Sequence, residues 1–181
     1  ANDKWRANLD WRNTTTTTSR IGDLRDGGVV FWVDGNGGGL VCALSDYATQ
    51  VEWGCYKTDL PSVPNFAYNG GILVGSGDEI GDGESNTTGI LADCPTAPAA
   101  LAARELGVEW FLPSIKELNE MYLHRASLEA VSGFNAFPNY SYYWSSTERN
   151  KDHAWAQYFG NGDQQSLSKN YPVRVRAVRA F

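Results

Sequence analysis

Methionine occurs once, histidine twice and cysteine three times in this chain of 181 residues, and no apolar stretch approaches the length of a membrane span. Crossing a bilayer as a helix takes roughly 20 consecutive apolar residues, so membrane insertion is not expected. Positive charge is also scarce. Fifteen Lys and Arg stand against 21 Asp and Glu, and a net charge of -6 would be repelled by phosphate backbones, so nucleic acid is not an expected partner. Cys42, Cys55 and Cys94 lack the paired close spacing of a zinc site. They fit one disulfide with one buried thiol, or three reduced core thiols, and the spacing leaves the pairing open. No cysteine follows Cys94, which excludes chemistry that needs a reactive cysteine pair near the end of the chain. No signal-peptide pattern opens the chain at Ala1, as expected of a cytosolic protein or of a mature or excised part of a longer one.

Aromatic rings and glycine are what the chain has in quantity, with 7 Trp, 9 Tyr and 19 Gly. Together with few long runs of helix formers, they predict short strands and irregular loops rather than a helical bundle. Residues 1–20 read as a tail. Trp5 and Leu9 have the i,i+4 spacing of a short helix that needs a partner to pack on, and residues 14–19 are a β-branched polar run suited to an extended linker. One domain is expected over residues 21–181.

Within that domain, Gly28 to Val33 and Leu40 to Leu44 are β-rich runs flanking Asp34-Gly35-Asn36-Gly37, a hairpin pattern. A phosphate cradle would need a helix after the glycines, and a strand follows instead. Residues 45–88 read as a long loop-rich excursion with one short strand around Val51 to Cys55, in which Trp53 is a core anchor. Residues 75–86 offer oxygen ligands of the kind calcium takes, but not at the helix-loop-helix spacing; a hydrogen-bonded glycine loop is the default reading, and no cofactor is expected. Two helices follow. Pro98 opens one that Gly107 stops, and Ser114 with Glu117 forms a capping box for another along Ile115, Leu118, Met121, Tyr122 and Arg125.

The last forty residues alternate aromatic anchors with polar segments. Tyr142 to Glu148, Ala154 to Phe159 and Val173 to Phe181 read as three short antiparallel strands. Trp144 and Trp155 belong to the core, Arg174 and Arg176 face solvent or carboxylates, and Glu148 pairs with a terminal arginine. The segments between them are loops rich in donors, acceptors and tyrosine, and such loops on a stiff scaffold suit recognition better than catalysis. The candidate contact residues are Tyr140, Tyr142, Arg149, Asn150, Asp152, His153, Tyr158, Asn161, Asp163, Gln164, Lys169, Asn170 and Tyr171. His153, Asp152 and Ser145 have the residue types of a hydrolytic triad without its local context, and no enzyme activity is expected.

The order Gly27-Gly28-Val29-Val30-Phe31-Trp32, Trp53-Gly54-Cys55, Trp110-Phe111-Leu112-Pro113-Ser114, Tyr143-Trp144-Ser145-Ser146-Thr147-Glu148 and Val173-Arg174 resembles the family named after the C-terminal domain of the Legionella collagen-like adhesin, from about residue 21 to 181. That resemblance implies a C-type lectin-like α+β fold, with two helices packed on a twisted antiparallel sheet and long loops. It is also similar to the variable proteins of diversity-generating retroelements, whose final strands and loops bind. It implies adhesion through a host-surface glycan or protein receptor, a homo-oligomer with a trimer favoured, and a place on a cell surface, a phage fibre or a virion. A structural or assembly domain of a fibre or sheath is the alternative. Sulfated ligands do not suit an acidic chain, and an anion site would have to use Arg149, Lys151 and Lys169.

Overall fold

A computed structural model describes residues 18–181, so the helix and most of the linker expected in the tail lie outside the described residues. The expected hairpin forms as β2 (Gly28–Val33) and β3 (Gly39–Ala43). Its alternation is buried on both faces. Val29, Phe31, Leu40 and Cys42 point into one apolar cluster and Val30, Val41 and Ala43 into another, so this pair of strands is the wall between two cores. β1 (Leu24–Arg25) and β11 (Val178–Ala180) flank it, giving a four-stranded sheet in the order β1-β2-β3-β11.

A second sheet has the order β4-β10-β7-β8-β9. It is built from β4 (Ala48–Val51), β7 (Tyr142–Asn150), β8 (His153–Tyr158), β9 (Gln164–Ser168) and β10 (Val173–Val175). A separate hairpin pairs β5 (Phe66–Asn69) with β6 (Ile72–Gly75). Two expectations are corrected here. The last forty residues hold five strands rather than three, and β10 runs parallel to β7, so the sheet is mixed. The run from Val173 to Ala180 is divided because Arg176 is pulled inward. Its Nε donates to Asp46 at 2.8 Å, its Nη atoms donate to the carbonyls of Ala43 and Asn135, and its guanidinium lies over the rings of Phe134 and Phe137. The same Asp46 carboxylate accepts from Arg174 and from the Tyr143 hydroxyl, so the carboxylate alternative held for both arginines and the solvent one failed for Arg176.

Four helices are described, not two. α2 (Pro98–Arg104) and α3 (Ile115–Leu123) are the expected pair, and the Ser114/Glu117 capping box is present in full. α3 stops at His124, and Arg125 opens a short α4 (Arg125–Glu129) instead of continuing it. α1 (Asp82–Asp93) occupies part of the stretch read as a loop. Its Gly, Thr and Asn content is poor for helix, and tertiary contacts compensate. Thr87 donates to the Gly83 carbonyl and accepts from the Leu112 amide, Asn86 donates to the Gly77 carbonyl, and a Cβ at Gly89 would meet the Ser62 carbonyl at 2.4 Å. Of the oxygen ligands considered for calcium, Asp78 is paired with Lys116 and Asp82 accepts from the Glu79 amide.

Cys55 and Cys94 form a disulfide and Cys42 is a buried free thiol, the first of the two arrangements the sequence allowed. Burial pushes the Cys42 thiol up to about 12. Trp53, Trp144 and Trp155 are core residues, each donating its indole N–H to the backbone of another element. The acceptors are the carbonyls of Ser145 at 2.8 Å, Val51 at 2.9 Å and Phe66 at 2.6 Å. Among the described residues no helix is long and apolar enough to cross a membrane.

Candidate recognition surface

β8 divides the thirteen candidate contact residues into two groups. At its Tyr158 end are Tyr140, Tyr142, Tyr158, Asn161, Asp163, Gln164 and Tyr171; at its His153 end are Arg149, Asn150, Asp152, His153, Lys169 and Asn170. Five residue steps along a strand separate the ends by about 17 Å, too far for one small ligand to touch both.

The Tyr158 end is open and firmly supported. Arg125 holds its base, donating to the carbonyls of Phe159 (2.7 Å) and Phe137 and to Asn139 Oδ1 (2.7 Å), which fixes the backbone that presents Tyr140. Tyr142 and Tyr158 sit across from each other in β7 and β8, ring centroids 4.8 Å apart. Burial, then the neighbouring Tyr158, Asp163 and Tyr171, raise the pKa of the Tyr142 hydroxyl, which therefore stays neutral and able to donate. Tyr140 is 88% exposed and Tyr171 57%. They border a cleft of about 230 Å³ that is also lined by Thr49, Gln50, Ser141, Tyr142, Pro172 and Arg174. Arg174 contributes little free charge, since its guanidinium is bonded to Asp46 and to Ser141 Oγ. What the cleft offers is aromatic faces beside neutral hydroxyl and amide groups. Asn161 and Asp163 bond each other, and the exposed Gln164 donates to Gln157 Oε1 and, at 3.4 Å, to the Ile115 carbonyl.

At the His153 end most polar groups are already used. Asn150 Oδ1 accepts from the amides of Asp152 and His153, so its side chain builds the turn. Arg149 donates to Ser166, and Asn170 Oδ1 accepts from Ser168. Lys169 is a clear correction. It is fully buried, ion-paired with Glu148, donating to the Thr58 carbonyl and lying 4.6 Å from the centre of the Trp53 ring, so it cannot touch a ligand. Glu148 consequently pairs with Lys169 and not with a terminal arginine. The anion site imagined from Arg149, Lys151 and Lys169 loses one member to the core and a second to Ser166, and only Lys151 stands exposed. Ser145 is buried and donates to the Trp155 carbonyl, away from any attack on a substrate.

Sequence reasoning missed Thr49, Gln50, Ser141, Pro172 and Arg174 as cleft residues. Thr49 and Gln50 arrive through the pairing of β4 with β10, more than a hundred positions later in the chain, and nothing local announces that pairing.

No protein of curated function matches the chain. Among solved structures, a fimbrial protein from Bacteroides ovatus is similar with a TM-score of 0.52 and 16% identity, over 90% of this chain and 46% of that one. The chain thus spans about half the length of that protein, and the likeness is one of fold. The model of the Lcl C-terminal domain family matches residues 43–179, which takes in the helix-capping and tryptophan-serine motifs, the disulfide and all five strands of the second sheet, and the chain belongs to that family.

Proposed function

We propose that this domain is a non-enzymatic, surface-displayed binding module of C-type lectin-like fold, and that the cleft between Tyr140 and Tyr171 takes an uncharged face of a glycan. The observation that carries this reading is the cleft itself, where two exposed tyrosines stand beside Thr49, Gln50 and Ser141 with no unpaired charge. Aromatic faces stack on the C–H faces of sugars, while hydroxyl and amide groups supply directional hydrogen bonds. The lectin-like assignment draws support from the pairing of β11 with β3, which brings the start and end of the described domain into one sheet and leaves the second sheet to present loops. Membership of an adhesin-derived family and likeness to a fimbrial protein support display on a cell surface or fibre.

A glycan array followed by calorimetric titration of the hits tests the proposal. Tyr171→Ala and Tyr140→Ala each should weaken binding by about tenfold, equivalent to about 1.4 kcal/mol, without lowering the unfolding temperature. Affinity unchanged in both variants would move the contact away from the cleft. The fimbrial neighbour also favours a second reading, a fibre or sheath domain whose loops between 140 and 171 contact neighbouring subunits. A stable oligomer that buries Tyr140 and Tyr171, with no glycan bound, would select it.

A further inference from the structure

Three exposed asparagines are each followed by glycine, at Asn36-Gly37, Asn69-Gly70 and Asn161-Gly162, and the fold treats each pair differently. In such a pair the glycine amide nitrogen can attack the asparagine Cγ, because glycine has no Cβ to block the approach. Two conditions decide the rate. The nitrogen and the asparagine side chain must be free of other partners, and the backbone between them must be able to turn.

Asn161-Gly162 is locked. Its Nδ2 donates to Asp163 Oδ2 at 2.7 Å, its Oδ1 accepts from the Asp163 amide at 3.1 Å, and the Gly162 amide donates to the Tyr158 carbonyl at 2.9 Å. The backbone of Asn69 is paired with Ile72 in the β5–β6 ladder, which holds it extended. Asn36-Gly37 lies in the loop between β2 and β3, outside any strand. Asp34 Oδ1 accepts from the Asn36 and Gly38 amides, at 2.6 and 3.0 Å, and passes over Gly37. Among the described residues neither the Gly37 amide nor the Asn36 side chain has a hydrogen-bond partner. Gly35 and Gly37, with φ of 79° and 104°, have nothing within 4 Å of a Cβ position, so the backbone on both sides of Asn36 has room to turn.

We propose that Asn36 is a site of spontaneous deamidation, with Asn69 slower and Asn161 protected. The Gly37 nitrogen loses its proton and bonds to Asn36 Cγ, the Cγ–Nδ2 bond breaks, and ammonia leaves with that proton. Water then opens the cyclic imide. Cleavage of the bond to Cγ gives aspartate, and cleavage of the bond to the main-chain carbonyl carbon gives isoaspartate, whose main chain is longer by one carbon. Either product sets a new carboxylate near Asp34 and adds a negative charge to a chain of net charge -6, and like charges there loosen the hold of Asp34 on the loop.

Incubation of the full chain at pH 8, followed over time by peptide mapping with mass spectrometry, tests this. Asn36 should convert about tenfold faster than Asn161, with Asn69 between them. All three rates should fall at pH 6, where less of the attacking nitrogen is deprotonated. In concentrated urea the rates should converge, because the hydrogen bonds and strand pairing that separate them are gone. Conversion first at Asn69 or Asn161, the same spread of rates in urea as in the folded chain, or an Asn36 that stays intact when folded while it converts in urea would overturn the proposal.

Discussion

The two ends of β8 carry segments of similar polarity, yet one opens to solvent and the other closes on itself. At the Tyr158 end, Arg125 holds the backbone from behind and leaves the tyrosines outside. At the His153 end, the Lys169 cation is drawn under the surface, where the loop containing Thr58 covers it and Glu148 pairs with it. Polar composition alone therefore does not make a contact surface. What decides is whether the buried partner belongs to the segment that shows or to the segment beneath it.

Removing the buried partner should give the largest effect. Lys169→Ala leaves Glu148 without its cation and should cost roughly 3–5 kcal/mol in urea unfolding, whereas Lys169→Met combined with Glu148→Leu should recover most of that loss. If the single variant were as stable as the parent, the closed end would be no different from the open one. The disulfide comes next, because Cys55 anchors the loop whose Thr58 carbonyl covers the Lys169 amine. Cys55→Ser should cost about 2–4 kcal/mol in the same measurement. At the open end the expected stability change is small. Tyr140→Ala should stay within about 0.5 kcal/mol of the parent, since that side chain is almost wholly solvated.

Titration sharpens the contrast further. Glu117 is buried and accepts hydrogen bonds from the Ser114 and Gly81 amides, and burial raises its carboxyl to about 7 despite them. A carboxyl raised on folding binds its proton more tightly in the folded state, so its contribution is greatest below the ordinary value near 4.5 and is lost as pH rises through about 7. Thermal unfolding midpoints compared from pH 5 to pH 8 should fall along that interval, and Glu117→Gln should flatten part of the slope. The smallest effect should be at Cys42. Its thiol should resist alkylation at pH 8 in the folded chain and react at once in denaturant, because burial holds it neutral.

Local signals carried part of the fold. The β2–β3 hairpin, the capping box at Ser114 and the tryptophan anchors were legible because each is set by neighbours within a few positions or by a side chain too large to leave in water. α1 was not legible, since its glycines and threonines favour a loop and become helical only where Ser62, Leu112 and Glu117 press on them. The division between β10 and β11 was hidden for a similar reason. Alternation at Val173 and Val175 is the same in one long strand or two short ones, and the pull of Asp46 on Arg176 comes from far away in the chain. Among the candidate contacts, Tyr140 and Tyr171 were found from turn chemistry, while Thr49 and Gln50 had no signal until β4 met β10.

By itself the amino-acid sequence determined the kinds of surface this protein could have: an acidic, tyrosine- and glycine-rich chain, core indoles at Trp53, Trp144 and Trp155, and thiols too few for a zinc framework. Only the tertiary structure decided which polar segment would remain outside. That choice turns on pairing between distant strands and on a lysine finding its carboxylate, and burying a charge is tolerated only where the complete fold supplies its partner.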